Sequence, residues 1–156
     1  MELRKLGRHF YDKIIKLYQK HFNLKASIAR FYNVYGPHQL TTGGYTTLIG
    51  RWINNIENNI QCEIYGDVEK RRDFTHVWDI VDGLNRIMKQ QAYGHEFEFG
   101  RGENYSINEV ANMFGISPIY KEDKPGEAQE TLADYSLASD LLAWEPKINL
   151  IDYIKE

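Results

Sequence analysis

Apolar residues recur at helical spacing in several stretches of the chain. In residues 9–22, Phe10, Ile14, Leu17 and Tyr18 follow one another at three or four positions, with lysines between them. This spacing places the apolar side chains on one face of an amphipathic helix. The same spacing predicts further helices over residues 45–58 and 77–90, and shorter helices are expected over residues 106–114, 136–142 and 149–155.

Short runs rich in β-branched and aromatic residues lie between these helices and predict strands. Residues 25–32 contain Ile28 and Phe31 and are closed by the turn at Gly36 and Pro37. The other predicted strands are residues 62–66, 72–76, 97–100 and 118–121. Helices that alternate with strands in this way are typical of an α/β domain.

The start of the helix over residues 106–114 carries its own sequence signal. Ser106 and Glu109 have the S-x-x-E spacing of a capping box, in which each side chain binds a free backbone N–H at the helix end. This gives Ser106 a structural role, because no G-x-S-x-G motif or partner base accompanies it for nucleophilic chemistry.

Composition and charge limit the class of protein. The 156 residues are 42% apolar and 26% charged, as in an ordinary globular domain. With a formal net charge of -3 and a pI near 6.0, the chain lacks the basic character of a general nucleic-acid-binding protein. No apolar run approaches membrane-spanning length, and the first residues are charged where a signal peptide is apolar. We therefore expect a soluble, cytoplasmic protein with no nucleic-acid or membrane partner.

Cysteine and histidine content argues against disulfide and metal chemistry. Cys62 is the single cysteine, so we expect a buried free thiol. The five histidines have no H-x-x-x-H or paired carboxylate spacing, and we expect no metal site. We expect the three tryptophans in the core: Trp52, Trp78 and Trp144.

Residues 71–83, RRDFTHVWDIVDG, set two arginines against an aspartate just before a predicted helix. An arginine can bind two oxygens of one phosphate while the neighbouring Asp73 holds the guanidinium, which suits anion binding. Alternatively, Lys70, Arg71 and Arg72 form a solvated turn with Asp73 in a weak surface ion pair. The local spacing leaves both interpretations open.

Four motifs follow one another in an order typical of one enzyme family. They are RFYNVYGP at residues 30–37, IYGDVEKRRDFTHVWDI at 64–80, FEFGRGENYSINE at 97–109, and KPGE at 124–127 with LAWEP at 142–146. Together they resemble the C-terminal half of the extended short-chain dehydrogenase/reductases, the NAD-dependent nucleotide-sugar epimerases and dehydratases. The resemblance covers about residues 10–155 and implies an α/β fold.

The resemblance implies that the ligand is a nucleoside-diphosphate sugar. Arg72 stands at the position that grips the nucleotide diphosphate in the family, and Lys124 stands where a second diphosphate arginine is usual. Lysine keeps the charge but loses the bidentate fork. Glu127 matches an acidic position that accepts hydrogen bonds from the ribose hydroxyls.

The resemblance assigns four further substrate-binding positions. Tyr65 matches the aromatic residue beside the nucleobase, and Asn33 matches the residue whose amide reaches the diphosphate or the sugar. Thr47 and Leu48 begin the helix that covers the diphosphate, where free backbone N–H groups favour an anion. Taken alone, Tyr65 and Leu48 would be assigned to core packing.

Two family motifs that carry the chemistry are absent. Family members begin with a G-x-x-G-x-x-G turn that binds NAD and carry Y-x-x-x-K on the helix before the R-x-x-N strand. In this sequence Arg4 and Arg8 occupy the tyrosine and lysine positions, and an arginine cannot serve as the general acid or base. We expect no catalytic residue and no cofactor bound by this chain alone, with NAD as the cofactor of the complete family enzyme.

The expected fold class is α/β, with a partial Rossmann-type element followed by a small mixed α/β domain. Residues 1–37, the last helix and strand, are the predicted remnant of the NAD-binding domain, and residues 38–156 are the predicted substrate-binding domain. The strand over residues 25–32 lacks most of the parallel sheet that would cover it. We therefore expect a homo-oligomer or a separate NAD-binding chain as partner.

Three functional hypotheses follow from these observations. The first is the nucleotide-sugar-binding portion of a truncated epimerase, inactive alone. The second is half of a split epimerase or 4,6-dehydratase that a separate NAD-binding chain completes. The third is a non-catalytic, self-associating interaction domain. The loop HQLTTGGYTTLIG, at residues 38–50, resembles that of hexose 4-epimerases more than that of dehydratases and favours an epimerase.

Overall fold

The computed structural model describes residues 3–123 and 126–156 and has a mixed α/β fold. Its described helices are α1 (Leu3–Phe22), α2 (Leu48–Glu57), α3 (Val77–Gln90), α4 (Ile107–Met113), α5 (Ser136–Leu142) and α6 (Leu150–Lys155). Its described strands are β1 (Ile28–Phe31), β2 (Val34–Tyr35), β3 (Glu63–Tyr65), β4 (Arg71–Arg72), β5 (Thr75–His76), β6 (Glu96–Phe99), β7 (Tyr105–Ser106) and β8 (Ile119–Lys121). None of these helices combines the length and apolar character that crossing a bilayer requires.

The described strands pair two by two. Three pairs are parallel, β1 with β6, β2 with β5, and β3 with β8, whereas β4 and β7 are antiparallel. The β1–β6 pair runs in register from Ile28 opposite Glu96 to Phe31 opposite Phe99. Strands β1 and β2 thus each pair with a strand from beyond residue 37, and the domain division at that residue stays a prediction.

All six predicted helices are present, and those over residues 77–90 and 136–142 have the predicted bounds. Helix α1 begins earlier than predicted, because Leu6 stands four residues before Phe10 and continues the apolar spacing. The Ser106–Glu109 capping box is confirmed at the start of α4, where both reciprocal hydrogen bonds form. Strands β2 and β7 were not predicted, because two-residue strands leave no periodicity in the sequence.

The strand predicted over residues 72–76 is two strands with different partners. Strand β4 pairs with β7, and β5 pairs with β2. Asp73 lies between them, fully buried, and its carboxylate binds backbone N–H groups of other loops. The break in the strand follows from this buried anchor.

Two apolar clusters form the core. The first joins α2, α4, α6 and β3 through residues that include Trp52, Ile64, Val110 and Leu150. The second packs α3 and α5 against β6, and its buried residues are Ile80, Ile87, Phe97, Phe99, Ala138, Leu142 and Trp144. Cys62 is a buried free thiol in the first cluster, as predicted.

Trp78 is not a core residue, and the prediction for this tryptophan was wrong. Helix α3 turns Ile80, Gly83 and Ile87 inward at three- and four-residue spacing. Trp78 precedes Ile80 by two positions, about 200° around the helix, so its side chain points outward and is 55% exposed.

Helix α1 presents apolar side chains to solvent. Of the α1 residues whose burial is described, none is buried. Its exposed apolar residues are Phe10, Tyr11, Ile14, Leu17, Tyr18 and Phe22. Polar contacts attach the helix to the sheet, because Arg30 of β1 pairs with Asp12 at 2.7 Å and with Glu96 of β6 at 2.6 Å. The apolar face of α1 therefore has little contact with the described chain.

Candidate functional site

Strand β4 places its two arginines in different surroundings. Arg71 donates from Nε to Asn104 Oδ1 at 2.7 Å, and its Nη2 lies 3.1 Å from Glu109 Oε2. Arg72 places Nη2 3.7 Å from Glu127 Oε2. Consecutive side chains of a strand point to opposite faces, so the two arginines do not form one cationic fork. Arg71 supports the start of α4, and Arg72 faces the segment that carries Glu127.

Arg72 is enclosed on most sides but stays charged. Its side chain is 14% exposed, and Nη1 donates to the backbone carbonyls of Arg71 at 2.9 Å and Gln129 at 3.3 Å. Burial lowers the pKa of Arg72, and the negative charge of Glu127 opposes this shift. An arginine remains protonated at any physiological pH, so a cation is fixed beside Glu127.

Lys70 immediately precedes strand β4 and contacts the same carboxylate, that of Glu127. Its side chain is only 4% exposed, its Nζ donates to Asp123, and Nζ lies 3.4 Å from Glu127 Oε2. The hydrogen bond to Asp123 raises the pKa of Lys70, so this ammonium remains charged. The interpretation of Lys70 as part of a solvated turn is therefore wrong.

Asp73 does not hold an arginine, and that part of the anion-binding interpretation was also wrong. Its carboxylate accepts the backbone N–H groups of Arg101 at 2.8 Å, Gly102 at 3.0 Å and Ala133 at 3.0 Å. Burial raises the pKa of Asp73, and the backbone hydrogen bonds oppose the shift. Asp73 is a buried anchor that ties the β4–β5 junction to two loops, and it is not the weak surface partner of a turn.

Asn33 lies at the carboxyl end of β1, beside a small cleft. Its Nδ2 donates to the Asp73 carbonyl at 2.7 Å and to Thr131 Oγ1 at 2.9 Å. Its backbone has a φ of 29°, in the left-handed region. The cleft has a volume of about 150 Å³ and is lined by Arg30, Phe31, Tyr32, Asn33 and Thr131. Ligands of α/β sheets bind beyond the carboxyl ends of parallel strands, which is where this cleft lies.

Thr47 and Leu48 form the start of helix α2. Thr47 Oγ1 accepts the backbone N–H of Gly50 at 3.0 Å and donates to Gln39 Oε1 at 2.9 Å. Leu48 is partly buried against the first core cluster. Thr47 thus acts as the helix N-cap, and Leu48 has the packing role that its sequence position alone suggested.

Tyr65 ends strand β3 next to the segment that leads to Glu127. Its hydroxyl donates to Glu63 Oε2 at 2.6 Å, and this hydrogen bond raises the pKa of Tyr65. Tyr65 is paired with Lys121 in the parallel β3–β8 ladder, two residues before Asp123. Lys124, the predicted second cation, lies outside the described residues.

The described site residues therefore form one main group. Arg72 and Glu127 come together, Asn33 and Thr131 lie near the adjacent Asp73 backbone, and Tyr65 and Thr47 belong to separate elements. Sequence reasoning missed Lys70 and Asp123. A usable signal existed for Lys70, since it lies two positions before Arg72 and residues two apart on a strand share a face.

The described residues do not by themselves fit NAD. A dinucleotide site of this type needs a strand, a glycine-rich turn and a helix whose N-terminus faces the pyrophosphate. Among the described residues, β1 is followed directly by β2, and the cleft at its end has only about 150 Å³. Likewise, no three His, Cys, Asp or Glu side chains of the described chain are grouped to hold a metal ion.

Comparison with known proteins gives consistent matches over most of the chain. Residues 6–107 match the family described as NAD dependent epimerase/dehydratase family. The Bacillus subtilis protein named uncharacterized UDP-glucose epimerase YtcB is 30% identical over 148 residues, which span 90% of this chain and 46% of that protein. UDP-glucuronic acid decarboxylase 2 of Arabidopsis thaliana is 26% identical over 92% of this chain and 33% of its own length.

A solved structure shares the fold. The crystal structure of UDP-glucose 4-epimerase with UDP-glucose from Thermotoga maritima superposes with a TM-score of 0.89 at 25% identity, over 96% of this chain and 50% of that one. The chain thus spans half or less of the length of these relatives.

Proposed function

The chain belongs to the NAD dependent epimerase/dehydratase family, and we propose that it is the nucleotide-sugar-binding portion of a nucleoside-diphosphate-sugar epimerase. The observation that carries this proposal is the convergence of Arg72 and Glu127 at 3.7 Å. A guanidinium suits the diphosphate and a carboxylate suits the ribose hydroxyls, so the two side chains together suit two neighbouring polar parts of one nucleotide.

The remaining residues are given supporting roles in the proposed site. Lys124 supplies a second cation for the diphosphate, and Tyr65 lies beside the nucleobase. Asn33 faces the cleft at the end of β1 and would accept a hydrogen bond from a sugar hydroxyl at Oδ1, since its Nδ2 already donates to Asp73 and Thr131. The start of α2 at Thr47 and Leu48 offers backbone N–H groups, which favour an anion.

An epimerase is favoured over the other reactions of the family. YtcB and the Thermotoga enzyme are both named UDP-glucose epimerases, although decarboxylases of UDP-glucuronic acid match the chain as well. The loop over residues 38–50, which resembles that of hexose 4-epimerases, also favours an epimerase.

The chain alone is proposed to carry out no chemistry. Arg4 and Arg8 replace the catalytic tyrosine and lysine, and an arginine does not exchange protons at neutral pH. NAD would then belong to the complete enzyme, as the NAD dependence of the family suggests. Either a separate NAD-binding chain or a second copy of this chain would cover the exposed face of α1.

Nucleotide binding tests the proposal directly. Without a covering domain the site is open to water and salt, so we expect UDP and dTDP to bind in the high micromolar to millimolar range. Arg72→Ala removes the main cation and should weaken binding about tenfold, since a charge-assisted hydrogen bond contributes about 1.5–3 kcal/mol at best. NMR titration of the folded protein measures both affinities.

Arg71→Ala is the matched control, because it removes the same charge one residue away. Arg71 is engaged by Asn104 and Glu109, so its loss should leave nucleotide affinity nearly unchanged. Equal losses for the two variants would mean that the arginines act only as diffuse surface charge, and the assignment of Arg72 would then be wrong.

A further inference from the structure

Lys70 is a buried cation held between two carboxylates. Its side chain is 4% exposed, its ammonium donates to Asp123, and Nζ lies 3.4 Å from Glu127 Oε2. A buried ammonium is costly unless it is paired and hydrogen-bonded. The two carboxylates are about half exposed, so the buried Lys70 is the most firmly held of the three side chains.

The two carboxylates stand at the two ends of one short segment, residues 123–127. A single ammonium therefore connects both ends of it. The chain just beyond is fixed in another way, because the Gln129 carbonyl accepts the Arg71 N–H at 2.9 Å and Gln129 Nε2 donates to Asp67 at 2.7 Å. Lys70 is the residue that contacts both Asp123 and Glu127, whereas Arg72 adds a second contact to Glu127 alone.

The contacts also select one oxygen of Glu127. Lys70 Nζ and Arg72 Nη2 both approach Oε2, at 3.4 and 3.7 Å. Within the described chain, Oε1 makes no hydrogen bond or ion pair, and the Glu127 side chain is 43% exposed. One oxygen is thus held by cations, while the other is free to accept hydrogen bonds from a ligand.

We propose that Lys70 is a positioning residue of the nucleotide site, which anchors Asp123 and Glu127 and directs Glu127 toward the ribose hydroxyls. This inference rests on the proposed function, because it presumes a nucleotide at Arg72 and Glu127. Lys70 itself does not touch the nucleotide, since its ammonium is buried behind the two carboxylates.

Hydrogen exchange of the ligand-free protein tests the anchor itself. Lys70→Met keeps most of the length of the side chain and removes its charge, so amides of residues 122–130 should exchange several-fold faster than in the wild type. Lys121→Met is the matched control, because Lys121 is ion-paired with Glu63 at 3.7 Å and does not contact Glu127. Unchanged exchange in Lys70→Met would overturn the proposal.

Binding of two ligands tests the role in nucleotide recognition. UDP affinity should fall about threefold to tenfold in Lys70→Met, because Glu127 is no longer directed at the ribose. Inorganic pyrophosphate has no ribose, and its affinity should change by about twofold at most. Equal losses for both ligands would make Lys70 a direct phosphate contact and would overturn the positioning role.

A second variant keeps the test decisive if Lys70→Met does not fold. Asp123→Asn removes one of the two ion pairs from a half-exposed position and should change exchange and UDP affinity in the same direction, by less. A wild-type protein that does not bind UDP would overturn the proposed function and this inference with it. If the wild type binds UDP and neither Lys70→Met nor Asp123→Asn changes its affinity, the role of Lys70 is overturned and the proposed function stands.

Discussion

His76 ends strand β5 and caps helix α3 with its imidazole. Its Nδ1 accepts the backbone N–H of Trp78 at 3.2 Å. The residue is only 3% exposed, and its ring contacts the rings of Tyr35 and Tyr153. A protonated Nδ1 cannot accept this hydrogen bond, and a positive charge at a helix N-terminus is unfavourable. Burial lowers the pKa of His76, while the charges of Asp79 and Glu156 oppose the shift.

The lowered pKa of His76 predicts a loss of stability in mild acid. The unfolded chain binds the proton more readily than the folded protein. The contribution of neutral His76 to stability is therefore complete above the pKa of the unfolded state, about 6.5, and is lost as the pH falls toward the lower pKa of the folded state. The free energy of unfolding should fall by up to about 1.4 kcal/mol per pH unit in this window. Urea unfolding at several pH values between 7.5 and 5 measures the slope.

His76→Asn separates this effect from the titration of carboxylates. Asparagine also caps a helix but does not titrate, so the variant should be less stable overall and should lose less stability between pH 7 and pH 5.5. Parallel pH profiles for the wild type and His76→Asn would contradict the assignment of the slope to His76.

Among the elements, helix α3 depends on a glycine where it crosses strand β6. A Cβ added at Gly83 would lie 2.4 Å from Cε1 of Phe99, which is fully buried. Glycine is ordinarily a poor choice inside a helix, but here it lets α3 approach the sheet closely. The packing of the second core cluster therefore depends on this position.

Gly83→Ala should destabilise the protein although alanine favours helices. Overpacking against the Phe99 ring costs about 1–3 kcal/mol, which exceeds the helix gain of about 0.5–1 kcal/mol. Gly7→Ala in α1 is the matched control, because no heavy atom lies within 4 Å of the added Cβ, and it should be neutral or stabilising. The urea midpoints of the two variants show whether each is more or less stable than the wild type. A Gly83→Ala variant that is more stable would show that α3 can move away from β6.

At the scale of the whole molecule, the apolar face of α1 and the edge of β1 stand out. Leu17 is 52% exposed and Phe22 is 71% exposed, whereas the described contacts of α1 with the sheet are mainly polar. Within the described chain, β1 pairs with β6 alone. A contiguous apolar surface of this kind is rarely left open to water in a soluble monomer.

The isolated chain should therefore associate with a second copy through α1. Light scattering coupled to size-exclusion chromatography at tens of micromolar should give a dimer or a larger species, in line with an apolar face that needs a cover. The double substitution Leu17→Lys with Tyr18→Lys should shift it toward the monomer. Tyr45→Lys is the control, because Tyr45 is 92% exposed and lies outside α1. A monomeric wild type that binds no apolar dye would be incompatible with this prediction.

The sequence alone determined the helices and the family, because both depend on information that is local along the chain. All six helices were predicted, the three longest of them from periodicity, and the capping box at Ser106 and Glu109 marked where α4 begins, since a cap is satisfied within one turn. The ordered motifs indicated the family, which the match over residues 6–107 bears out. The positions of Arg72 and Glu127 came from those motifs, and their role in binding stays a prediction.

Only the tertiary structure decided which charged groups are buried and what they contact. Lys70 and Asp73 looked like parts of a solvated turn, yet one is enclosed by Asp123 and Glu127 and the other by backbone N–H groups of two distant loops. Trp78 was expected in the core and is exposed, because the face of α3 that carries it does not pack against either core cluster of the described residues. Burial and ion pairing depend on segments brought together by folding, and no local pattern encodes the distance between them.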